Sequence, residues 1–229
     1  MQTIGRNNNL EQTLFALRDE QYAVFSARLI PNIRPETIIG VRSPDLRRIA
    51  RECGYSLSIF GNPLLPHRWH EENMLHAYII CGMKNFGVAF DQTELFLPFV
   101  TNWAVCDSLS PKTFARNAEK LSGRIAIWLS SPHEYTVRFG ISMLMRHFLD
   151  IRFRHEYLQW VASIERDEYY IRMMQAWYFA TALAKRWDET MEYLRSDALG
   201  EWVRRKSIQK ALESFRIGDR QKDTLRSLR

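Results

Sequence analysis

The sequence predicts an all-α protein, on three observations. Residues that interrupt regular structure are scarce, with 10 Gly and 8 Pro in 229 residues, which favours helices over many short strands and turns. Apolar residues recur at three- and four-residue spacing along most of the chain. Nowhere does a two-residue alternation run between hairpin turns. The expected content is roughly ten to twelve helices of about ten to twenty residues each.

Taken in order, Leu10, Leu14 and Leu17 form the first apolar stripe. Three later helix starts share one grammar: Ser43-Pro44-Asp45, Ser110-Pro111-Lys112 and Ser131-Pro132-His133-Glu134 each predict Ser at the N-cap and Pro at the first helical position. Glu134, three residues after Ser131, would complete a capping box, and Asp45 suits the positive end of its helix dipole. Gly54 to Pro66, with Gly61, Pro63 and Pro66, is the longest expected loop. Tyr135, Phe139 and Met143 form a stripe flanked by Val137, Ile141, Leu144 and Phe148, so that helix is apolar on much of its circumference. Tyr170, Met173, Met174, Trp177 and Thr181 form the next, and Ser207, Ile208, Ala211, Leu212 and Phe215 the last.

Helices apolar on more than one face need neighbours on more than one side. Antiparallel pairs stacked side by side supply them, which is the logic of a helical solenoid. The Ser-Pro starts are unevenly spaced, so the repeats are read as degenerate and HEAT-like, in a single domain over 1–229.

Composition excludes several classes. A 46% hydrophobic and 25% charged chain is ordinary for a soluble globular protein. No run approaches 18 apolar residues, so no membrane span is expected, and Met1 to Asn9 is polar without a signal-like apolar core. Cys53, Cys81 and Cys106 lie far apart with no CxxC spacing, which reads as reduced thiols in a cytoplasmic protein; a monomer is expected. There is no P-loop, no Ser or Cys nucleophile motif and no dinucleotide fingerprint. His67, His70, Glu71 and His76 match no standard ligand spacing, so neither metal nor cofactor is expected. Asp167, Glu168, Asp188 and Glu189 read as helix-start acids.

The pair Trp103 and Asp107 stands out for chemistry. In a helix, four-residue spacing puts the ring and the carboxylate on one face, one turn apart. An electron-rich ring beside a full negative charge suits a reaction that passes through a cation. Arg138 and Trp177 stand in otherwise apolar helical stretches. Each has a plainer reading: Trp103 and Trp177 as core, Asp107 as a cap for the helix announced by Ser110, Arg138 as the partner of a buried carboxylate. The net charge is +6, and from Gly200 to Arg229 nine Lys/Arg oppose four Asp/Glu, a local +5. Arg204, Arg205, Lys206 and Lys210 in that end are a footprint for a polyanion or a solvated face.

Gly40-Val41-Arg42-Ser43-Pro44-Asp45-Leu46-Arg47 and Asn102-Trp103 through Asp107 resemble the DNA alkylation repair (AlkD-like) family of HEAT-like repeat proteins. Arg138-Phe139, Tyr169-Tyr170 through Trp177, and Lys206-Ser207-Ile208-Gln209-Lys210 extend the resemblance over Ile39 to Phe215. It implies a curved, right-handed α–α superhelix whose concave basic face holds duplex DNA, alkylated or distorted. It further implies excision of cationic N3- and N7-alkylated purines without flipping the base into a pocket, and without a cofactor. Asp107 would be the catalytic carboxylate, Trp103 and Trp177 would line the lesion-facing cleft, and Arg138 would touch the DNA backbone. Arg204, Arg205, Lys206 and Lys210 would bind DNA.

Active members of that family carry a lesion-presenting helix just before the Gly40 motif. Here the stretch is Arg28 to Glu36, and Pro31 and Pro35 cannot both sit inside one regular helix. The segment from Tyr22 to Pro31 therefore resembles a subgroup in which that helix is shortened or absent. A member lacking it would bind DNA without excision, or serve as a protein scaffold.

Overall fold

The computed structural model describes residues 8–61 and 64–228. Every regular element among them is helical: fourteen α-helices and four short 3-10 turns, with no strand. The polar opening, residues 1–7, and the middle of the Gly54–Pro66 loop, 62 and 63, lie outside the described residues. The helices outnumber the expectation because several are short, the shortest having five residues. Packing divides the chain into two compact units, Met1–Asn117 and Ala118–Arg229.

The first unit contains α1 (Asn8–Ala16), α2 (Glu20–Leu29), α3 (Ser43–Glu52), α4 (His70–Gly82), α5 (Phe86–Phe96), α6 (Trp103–Ser108) and α7 (Lys112–Arg116). Its centre is α4, buried continuously from Met74 to Cys81 and packed against α3, α5, α6 and α7. A helix apolar all round has no solvent face, and α4 accordingly has neighbours on several sides.

The first turn of α4 carries the junction that orders this unit. Glu71 is 2% exposed, and its carboxylate accepts from the backbone N–H groups of Ile39 (2.9 Å), Gly40 (2.7 Å) and Val41 (3.3 Å). Burial pushes the Glu71 carboxyl above its ordinary value, against the pull of those N–H donors. Gly40 has φ +97°, and a Cβ there would lie 2.2 Å from the Asp19 carbonyl oxygen. Only glycine fits. Asp19 in turn caps α2, accepting from the Tyr22 N–H at 2.9 Å and from Arg42 Nη2 at 2.7 Å. The helix α2 has no buried residue of its own and is held through these ends. It terminates at Leu29, ahead of Pro31, and Pro35 opens a separate 3-10 turn, as the two prolines require. The segment thus keeps a ten-residue helix.

In the second unit are α8 (Ser122–Leu129), α9 (Glu134–His147), α10 (His155–Ala162), α11 (Tyr169–Lys185), α12 (Trp187–Arg195), α13 (Glu201–Leu212) and α14 (Asp219–Ser227). Helix α9 is buried at every position from Tyr135 to Met145. Its Gly140 admits α8 closely, since a Cβ there would sit 3.0–3.1 Å from Leu129 and Trp128 side-chain atoms. Helix α11 packs between α9 and α13.

Three sequence expectations are corrected. The Ser-Pro starts place proline in or just before the first turn, but none of the three serines caps. The caps are Arg42, Pro111 and His133, with no side-chain bond. Ser43 instead accepts from the Tyr78 hydroxyl (3.1 Å), and Ser131 accepts from the His133 N–H (3.1 Å). Glu134 takes the Tyr170 N–H, so the capping box does not form. Secondly, the Tyr170–Thr181 stripe is not one core face. Ile171, Met174, Gln175, Tyr178 and Phe179 are buried, while Trp177 is 39% exposed. Thirdly, Phe215 lies beyond the end of α13 and is fully exposed.

Two stability predictions follow from this unit. Glu71→Ala leaves three buried N–H groups unsatisfied and should cost about 2–4 kcal/mol by urea unfolding; Glu71→Gln, which keeps one acceptor oxygen, should cost less. An alanine variant within about 1 kcal/mol of wild type would contradict this assignment. His67 and His76, bonded to each other at 2.8 Å between Phe60 and Phe96, are pushed by burial down to about 4 and about 3. Protonation is then easier in the unfolded chain, so their stabilisation is complete above about pH 6.5 and lost as pH falls through about 4. His76→Phe should flatten the melting temperature over that range; an unaltered slope would assign the acid sensitivity elsewhere.

Candidate functional site

Asn102 builds the short helix that carries the first pair. Its side chain accepts from the Val105 N–H at 3.0 Å, which caps α6 and sets Trp103 at the first helical position. Asp107 is the fifth residue of that helix, so ring and carboxylate project from one face one turn apart, both half-buried. Asp107 belongs to α6 and is not the cap of α7, which is Pro111. It stands near the negative end of its helix, where the dipole disfavours a carboxylate.

Trp103 is held from outside its own helix. Its indole Nε1 donates to the Leu29 carbonyl at 2.8 Å, one of the carbonyls that the end of α2 leaves unpaired. The Asn32 amide donates to the Thr101 carbonyl, so two bonds on either side of Asn102 join the end of α2 to the start of α6. The far end of α6 rests on α4: Cys81 Sγ donates to the Ser108 carbonyl (3.2 Å) and receives the Ser110 N–H (3.0 Å). Tyr78, whose hydroxyl lies 3.5 Å from Ser108 Oγ, carries the exposed Arg47 guanidinium 4.0 Å above its ring. This Arg47–Tyr78 pair beside the end of α6 was not anticipated. The available signal was a cation one turn into the helix that Ser43 opens.

In the second unit, Arg138 on α9 is 4% exposed and its Nη1 donates to the Tyr170 carbonyl at 2.7 Å. Glu134, one turn earlier, takes the Tyr170 N–H, so both side chains grip the first turn of α11. Trp177 stands on α11 as an exposed ring between buried neighbours.

The basic end divides by role. Arg204 spans two carbonyls, Leu194 at 2.7 Å and Leu228 at 2.8 Å, and so fastens the ends of α12 and α14. Arg205 faces solvent, 3.6 Å from Glu201; Lys206 Nζ donates to Gln209 at 2.9 Å; Lys210 is half-buried in the last turn of α13. No group of three or more His, Cys, Asp or Glu among the described residues is arranged to hold a metal ion. No helix among them is long and apolar enough to cross a membrane.

Residues 10–215 match the family model described as DNA alkylation repair enzyme. Comparison with curated proteins gives no significant match.

The tie between α2 and Trp103 has a direct consequence. Trp103→Phe keeps the ring but removes the donor, so α2 should loosen and trypsin should cut after Arg28 several-fold faster, at a stability cost of about 1 kcal/mol. Cleavage there at the wild-type rate would show that α2 does not depend on the indole.

Proposed function

This chain belongs to the DNA alkylation repair enzyme family, and from that membership we propose that it binds duplex DNA and hydrolyses the N-glycosidic bond of cationic N3- and N7-alkylated purines. The family fold is a HEAT-like α–α superhelix, and the all-helical content of this chain accords with it. The observation that carries the catalytic part is the Trp103–Asp107 pair on one face of α6, its indole pinned by Leu29.

The chemistry asks little of the protein beyond charge and shape. A purine alkylated at N3 or N7 is already cationic, so it departs as a neutral base without a general acid. As the bond breaks, positive charge builds on the sugar, as in glycoside hydrolysis. The Asp107 carboxylate stabilises that charge and orients a water, which adds to the anomeric carbon and gives up its proton to Asp107. The face of Trp103 stabilises a cation by roughly 0.5–2 kcal/mol, depending on how dry the contact is. Arg205, Lys206 and Lys210 supply contacts to phosphates. Arg138, expected to touch the DNA backbone, is 4% exposed on α9 and donates to the Tyr170 carbonyl, so its part is to hold the first turn of α11, just as Arg204 is spent on holding α12 and α14 together.

A binding-only reading has one observation in its favour. Helix α2 ends at Leu29, ahead of Pro31, and only a three-residue 3-10 turn from Pro35 stands between it and the Gly40 motif. Duplex DNA carrying 7-methylguanine separates the two. Wild type should release the base, and Asp107→Asn should slow release on the order of 10²–10³-fold, the usual cost of removing one preorganised charge-stabilising group. No release by wild type, with duplex affinity that falls steeply with salt and weakens in an Arg205/Lys206/Lys210 triple alanine variant, would leave a DNA binder without excision. Salt-independent or absent binding would favour a scaffold.

A further inference from the structure

Two exposed rings stand where α11 and α13 begin. Tyr169 is 53% and Trp202 36% exposed, and their centroids lie 6.0 Å apart at 69°. The same unit buries Trp128, Tyr157 and Tyr178 in its core, whereas Tyr169 and Trp202, like Trp177 on α11, stay open to solvent. The Arg172 guanidinium lies 5.2 Å from the Trp202 centroid. Along α13 the indole walls a groove of about 380 Å³ shared with Glu201, Arg205, Lys206 and Gln209. Arg205 occupies the groove's one carboxylate, Glu201, while Gln209 is oriented by Lys206 on one side and Glu213 on the other. An open ring, two cations and a fixed amide thus meet on one helix face.

We infer that Tyr169 and Trp202 form a stacking platform for a nucleobase that has left the duplex stack, with Arg205 and Lys206 holding the phosphate beside it. In an intact duplex both faces of each base are covered by its neighbours, so surface rings can engage only a base that is unpaired. Every base has a flat π-face, which makes such a platform tolerant of sequence, and interleaved cations track the backbone. The consequence is a preference for DNA containing unpaired nucleotides, such as a gap or a single-stranded end. It rests on the DNA-binding part of the function proposed above, but not on excision.

Fluorescence anisotropy tests it with two labelled probes, a fully paired duplex and the same duplex interrupted by a short gap of unpaired thymidines. Wild type should bind the gapped probe more tightly. Trp202→Ala should lose about tenfold on the gapped probe and stay within about twofold on the paired one, and Trp202→Phe should recover most of the loss. A melting temperature equal to wild type confirms that the alanine variant is folded. Equal loss on both probes, or no loss on the gapped one, overturns the platform while leaving duplex binding intact. Wild type that binds neither probe overturns the platform and the DNA-binding reading together.

Discussion

The Glu71 carboxylate is the contact on which the first unit depends. It gathers three consecutive N–H groups, from Ile39 to Val41, that would otherwise be buried without partners. With that strand of backbone fixed, Gly40 can meet the start of α2, and Asp19 and Arg42 close the junction. Helix α2 has no fully buried residue, so its position leans on this anchor and on its far end at Leu29. The Leu29 carbonyl then meets the indole of Trp103. A buried acid in the first turn of α4 thereby sets the direction of a ring on α6.

That dependence explains how a helix of six residues can carry the proposed catalytic pair. Alone, so short a segment would not persist in water, since nucleation costs more than a single turn returns. Here Asn102 caps it, Cys81 and Tyr78 hold its end, and Leu29 holds its first side chain. Asp107 is thereby carried on a rigid support, near the negative pole of its own helix. A carboxylate so placed gains from a cation nearby, the charge that both an alkylated purine and a breaking glycosidic bond provide.

Much of this was legible in the chain, and the failures have physical reasons. The helical class followed from spacing, and the break between α2 and the Pro35 turn followed from two prolines, because both are local effects. That Trp103 and Asp107 share a face was legible because one turn of helix brings them together whatever surrounds it. The serine caps failed because their hydroxyls had nearer uses, Ser43 to Tyr78 and Ser131 to His133. Glu71 was read with its histidine neighbours since its true partners lie about thirty residues back. The same limit applies to Arg204, which a count of charges assigns to a polyanion but whose donors are committed to Leu194 and Leu228. Trp177 sat in an apolar stripe, and only the packing of α9 and α13 against α11 decides which side of that stripe is covered.

Hydrogen exchange on wild type and Glu71→Gln tests most directly whether this anchor carries the site. Weakening the carboxylate should raise exchange first at 39–41 and then along α2 and into α6, while α9 and α11 keep their protection. Faster exchange confined to 39–41, with α2 and α6 as protected as before, would contradict the account.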